Sequence, residues 1–157
     1  MNRRRIIKFL LLLFWMGVIF YFSSQNGETS EELSDSLLSP FYFLYKGPLS
    51  LLRFLRRYGV YIRKAAHFCE YALLGILMHL NISDYKKNAA GLSLLLSSLY
   101  AVSDEVHQLF VSERAFGLLD ILIDSLGAVF GILVLILVKK LVSEKRLDYN
   151  KSDSDEG

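Results

Sequence analysis

A single cysteine, Cys69, stands in 157 residues. It excludes an internal disulfide and any cysteine-based zinc cluster; set in an apolar run, it reads as a packing residue. There is no Gly-rich phosphate loop, no G-x-S-x-G and no H-E-x-x-H, so phosphate-loop, serine-elbow and zincin chemistries have no sequence support. The formal net charge is only +2, and no basic stripe is interleaved with stacking aromatics, which argues against a nucleic-acid partner. No internal repeat is evident.

What the chain has is apolar length. Hydrophobic residues make up 53% and mean hydropathy is +0.35, gathered in long blocks rather than spread at core-forming intervals. The expected fold class is all-α, a polytopic membrane bundle of four transmembrane helices plus a short amphipathic interfacial helix. The basic leader MNRRRIIK opens onto an apolar run at 6–22, and no A-x-A cleavage site follows, so this reads as an uncleaved first span. Ser23-Ser24-Gln25 closes it. Thr29 and Glu32 have capping-box spacing for a short helix, Phe41–Tyr45 (FYFLY) reads as an aromatic belt, and Gly47-Pro48 breaks the chain. Residues 49–58 are amphipathic, with Arg53, Arg56 and Arg57 opposite Leu51, Leu52 and Leu55, as in a helix lying at an interface. Further spans are expected at about 65–82, 89–110 and 118–138, the last with a G-x-x-x-G pair, Gly127 and Gly131, that admits a neighbouring helix. Residues 1–146 form the membrane domain, and 147–157 is an acidic tail expected to be disordered.

The positive-inside rule sets an orientation. Arg3, Arg4, Arg5, Lys8, Lys86, Lys87, Lys139 and Lys140 fall on one side, which places both termini in the cytoplasm. The other ends of the four spans then share a composition. They carry Gln25; Arg63, Lys64, His67, Glu70 and Tyr71; Asp104, Glu105, His107 and Gln108; and Asp120 and Asp124, with Arg114 in the adjoining loop. Charges near lipid cost roughly 2.5–3.5 kcal/mol each on insertion scales, so they pair or serve a function. Scattered snorkelling would not collect them at one depth on four helices. A single outward-facing polar pocket follows, with a structural salt-bridge network as the plainer reading.

These residues also resemble a known family. F-S-S-Q closing the first span, R-K-A-A-H-F-x-E-Y-A-x-L-G in the second, Y-A-x-x-D-E-x-H-Q-x-F in the third and R-x-x-x-x-x-D-x-x-x-D-x-x-G-A-x-x-G at the fourth are similar to the VanZ-like membrane proteins, over roughly Ile6 to Val138. Where the family often has Pro-Gly before its loop arginine, this chain has Ser112-Glu113. The resemblance implies a bacterial cell-envelope membrane protein; the family's namesake is associated with resistance to the glycopeptide teicoplanin.

Three functions stay open at this level. In the first, the pocket binds a lipid or glycolipid head group or a lipid-linked cell-wall precursor: Arg63, Lys64 and Arg114 hold phosphate, and Gln25, Tyr71, Glu105, Gln108, Asp120 and Asp124 complete the lining. In the second, an intramembrane hydrolase or transferase uses His67 with Glu70, or His107 with Asp104, as acid/base pairs. No cofactor is implied, although His67, Glu70, Asp104 and His107 would also be the donors of a divalent-metal form. In the third, the charges only fasten a structural membrane partner.

Overall fold

Apolar runs with few breakers form long helices, and the described residues of the computed structural model contain four. It describes residues 2–25, 48–112 and 116–155, with side chains placed over 2–25, 61–112 and 116–146. The helices are α1 (Arg3–Ser23), α2 (Pro48–Ile82), α3 (Ala89–Gln108) and α4 (Leu118–Asp155); no strand occurs among the described residues. Three segments, Arg3–Ser23, Tyr61–Ile82 and Leu118–Arg146, are long and apolar enough to cross a membrane. At 20 residues α3 has comparable length, about 30 Å at 1.5 Å per residue, but its serines, Asp104 and Glu105 lower its hydropathy.

Two expectations need revision. The amphipathic stretch 49–58 is not a separate helix: it is the first part of α2, which runs unbroken for 35 residues, about 52 Å. Pro48 is the first residue of α2, a position where proline is well tolerated. Residues 147–155, expected as a disordered tail, continue α4 as helix. The Thr29–Glu32 capping box and the Phe41–Tyr45 belt lie outside the described residues. Cys69 is exposed rather than packed.

Helix α2 is the hub, in contact with each of the other three, and its contact with α4 is the most extensive. Consecutive helices are antiparallel, so α2 and α4 run parallel, as do α1 and α3. Between α2 and α4 the backbones nearly touch. A Cβ at Gly127 would strike the carbonyl of Phe68, one at Gly131 the carbonyl of Ala72, and one at Gly75 would lie 2.5 Å from the carbonyl of Ala128. The core proper is small: Leu12 and Ile19 of α1, Tyr71, Leu74 and Met78 of α2, and Ala101 of α3. Helix α3 contributes Ala89, Ser93, Ser97 and Ala101, one small residue per turn, all buried.

Burial is inverted relative to a protein in water. Asp104, Glu105, Gln108 and Asp124 are buried, while Phe14 is 69% exposed, Leu118 74% and Phe110 83%. Such broad apolar coverage needs an apolar surrounding. The chain is a helical membrane protein.

The end bearing α1's N-terminus is tied by charge. Lys8 Nζ donates to both carboxylate oxygens of Asp84, each at 2.9 Å, and to the Leu80 carbonyl at 3.3 Å. Asn81 Nδ2 donates to the Lys8 carbonyl at 3.1 Å. The Lys8 hydrogen bond, helped by the charges of Lys8 and Arg5, holds the Asp84 carboxyl below the usual carboxylate range. A carboxyl whose folded-state value is depressed stabilises the fold fully above about pH 4 and loses that contribution as pH falls through the folded value.

Two outcomes follow for thermal unfolding in detergent. Gly131→Ala forces α2 and α4 apart and costs about 1–3 kcal/mol, whereas Gly17→Ala, with nothing within 4 Å, is neutral or stabilising by up to about 1 kcal/mol. Melting temperatures of the parent chain and Asp84→Asn differ at pH 7 and converge below about pH 4.

Candidate functional site at the polar bundle end

At the opposite end the four helices bring their polar residues together. Because α2 and α4 run parallel and in contact, residues spaced alike on each meet in register. Lys64 Nζ donates to Asp120 Oδ1 at 2.7 Å, and one turn on His67 Nδ1 lies 3.6 Å from Asp124 Oδ1. Gly127 and Phe68 follow immediately below, so the glycine contact sets the distance at which these pairs form. Asp124 lies about 9 Å along α4 from Leu118 and is fully buried.

Helix α3 brings a second acidic group. Asp104, Glu105 and Gln108 are buried; Gln108 Nε2 donates to Asp104 Oδ2 at 3.2 Å. Glu105 Oε2 accepts the Gly117 backbone N–H at 2.8 Å, joining the end of α3 to the start of α4. Asp104, Glu105, Asp120 and Glu70 are all electrostatic neighbours of Asp124. Tyr71 is buried at the centre, its ring 6.3 Å from that of Tyr100, with Asp104, Asp124 and Glu70 around it.

Helix α1 closes the group through contacts that the sequence reading did not select. Ser24 Oγ lies 3.1 Å from His107 Nε2, and the Phe20 ring packs on the imidazole with centroids 4.4 Å apart. Trp15 Nε1 donates to the Glu70 carbonyl at 2.9 Å, and Tyr100 Oη to the Met16 carbonyl at 2.7 Å. A lone tryptophan and a serine at a span's exit were visible signals. The backbone donor of Gly117 was not, since a main-chain N–H has no sequence signature.

Of the expected pocket residues, His67, Glu70, Tyr71, Asp104, Glu105, His107, Gln108, Asp120 and Asp124 share this end of the bundle, with Lys64 held by Asp120. His67 lies beside Asp124 and His107 beside Ser24, contacts additional to the pairs the sequence suggested, His67 with Glu70 and His107 with Asp104. Arg63 is half-buried on α2. Gln25 bonds back to its own helix, Nε2 to the Tyr21 carbonyl at 3.4 Å. Arg114 lies outside the described residues. Among the described residues no three His, Cys, Asp or Glu side chains are placed to hold a metal ion.

Among the buried groups here, both carboxylate oxygens of Asp124 and the hydroxyls of Tyr71 and Ser23 make no hydrogen bond among the described residues, although His67 Nδ1 faces Asp124 Oδ1 at 3.6 Å. A buried polar atom left unmatched costs about 1–3 kcal/mol, more when charged.

Apolar helices around a buried acidic and histidine-bearing end define the class, a helical membrane protein. The chain belongs to the VanZ/LLP1 family, whose model matches residues 8–139, all but the leader and the end of α4. No curated protein and no solved structure matches it.

Tyr100→Phe removes the bond to α1 without changing packing volume. It lowers stability by about 0.5–1.5 kcal/mol in detergent unfolding, with the α-helical signal unchanged before the transition.

Proposed function

We propose that this chain is a cell-envelope membrane protein whose polar bundle end opens on the outer face and binds the head group of a lipid or glycolipid, including lipid-linked wall precursors. In this reading α3 spans the membrane with the other three, both termini are cytoplasmic, and the basic residues at 3–8 and 86–87 lie on the inner side. The observation that carries it is Asp124: a carboxylate at membrane depth, fully buried, with neither oxygen hydrogen-bonded among the described residues. A purely structural network would hydrogen-bond those oxygens, which here face only the imidazole of His67 at 3.6 Å among the described contacts, and a buried charge without hydrogen bonds is costly.

The chemistry divides between phosphate and hydroxyl recognition. Lys64 already neutralises Asp120, so Arg63 is the described cation on α2 better suited to a lipid phosphate, through its planar fork. Asp124 and the Tyr71 hydroxyl offer acceptors to head-group hydroxyls. Sequestering such a lipid at the outer face would lower what a glycopeptide meets there, in line with the teicoplanin association of the family's namesake.

A second reading is favoured by one distance. His67 and Asp124, 3.6 Å apart, have the loose geometry of a carboxylate-oriented imidazole before substrate closes the site. With no ATP outside the cell, the reaction would be hydrolysis of a lipid-linked group or transfer from an already activated lipid.

Full-length protein purified in mild detergent, followed by extraction and mass spectrometry of co-purifying lipid, tests both. Asp124→Asn and Arg63→Gln each keep the folded yield and lower the bound head-group lipid by about tenfold, one charge-assisted hydrogen bond's worth. A collapse in yield with unchanged lipid per folded molecule supports the structural network and overturns the binding reading. His67→Gln leaves total cellular lipid unchanged if the site only binds, and accumulates one unprocessed lipid if it reacts.

A further inference from the structure

The opposite, basic end of the bundle holds a separate cavity of about 410 Å³, between α1 and the last turns of α2 with the turn that follows. Its floor is apolar: Phe9 and Leu12 from α1, Met78 and Ile82 from α2. Its mouth is polar. The Arg5 guanidinium carbon sits 5.0 Å from the centroid of the Tyr85 ring, and Arg5 Nε is 3.8 Å from Asp84 Oδ2. That contact is loose, because Lys8 already holds both Asp84 oxygens at 2.9 Å. The Arg5 side chain remains 44% exposed.

Charge at this end is lopsided. Segments 3–8 and 83–88 together carry six cations, Arg3, Arg4, Arg5, Lys8, Lys86 and Lys87, against the single carboxylate of Asp84. The polarity changes from cationic at Arg5 to apolar at Leu12 over about 10 Å of helix, the same order as in a phospholipid, from phosphate to acyl chain.

We propose that this groove is a binding site for one anionic phospholipid, with an acyl chain along Phe9, Leu12, Met78 and Ile82 and its phosphate on Arg5. The argument is charge complementarity joined to the graded lining. A guanidinium forms paired hydrogen bonds with a phosphate, six cations draw an anionic head group to the surface, and a zwitterionic head group would bring an ammonium into the same positive field. Tyr85 keeps the guanidinium in place by cation–π contact, and the Lys8–Asp84 tie prevents Asp84 from competing for it. The site lies at the other end of the bundle from the pocket described above and is independent of it.

Native mass spectrometry of the full-length protein, released from detergent after titration with phosphatidylglycerol or with phosphatidylcholine of the same chains, tests the proposal. One phosphatidylglycerol is retained in preference to phosphatidylcholine; Arg5→Gln lowers that retention by about tenfold, and Arg5→Lys, which keeps charge but not the fork, gives an intermediate value. Arg3→Gln, which removes equal charge away from the groove, changes retention less than about twofold. Equal retention of the two lipids by the unaltered chain overturns the proposal without need of any variant. It is also overturned if Arg3→Gln matches Arg5→Gln, which would mean diffuse attraction, or if excess inorganic phosphate displaces the lipid, which would mean a phosphate site without a chain groove.

Discussion

The rest of the architecture depends on the close approach of α2 and α4. In a bilayer, lipid is as apolar as leucine, so helices associate through close van der Waals contact and interhelical hydrogen bonds rather than through exclusion of water. Gly127 against Phe68 and Gly131 against Ala72 let the backbones meet without intervening side chains. The consequence is chemical as well as structural. With the parallel pair locked at that separation, Lys64 reaches Asp120 and His67 lies beside Asp124. A wider seam would leave four ionisable groups facing lipid or an empty interface.

Around that seam the two bundle ends differ in charge. At the basic end, α1 is fastened to α2 by one well-matched carboxylate, Asp84, whose oxygens are both taken by Lys8. At the polar end there are more acids than described cations, and Asp124 and Tyr71 are buried with unmatched oxygens. Between them the helices pack on small residues and a short core.

Much of this was legible in the residues. Long apolar runs announced the helices, Gly127 and Gly131 announced a close neighbour, and the ionisable residues collected at matching ends of the spans announced a shared polar end. Less legible were breaks that did not occur. The amphipathic stretch 49–58 looked like a separate helix, yet it runs on into α2; the acidic tail looked disordered but continues α4. Both errors have one cause: in a chain this short of breakers, a helix already nucleated extends at little cost.

By itself the sequence determined which residues are ionisable, that they sit near the ends of apolar helices, and that such helices need an apolar surrounding. Those properties depend on composition and on the 3.6-residue period, both local. Which acid meets which base was decided only by tertiary structure. His67 has Glu70 one turn away on its own helix, yet Asp124 of α4 lies 3.6 Å from it; His107 has Asp104 one turn back, yet Ser24 of α1 lies 3.1 Å from it. Pairing across helices is set by their axial register and separation, and these are fixed at Gly127 and Gly131 by main-chain partners, Phe68 and Ala72, that the glycine spacing does not name.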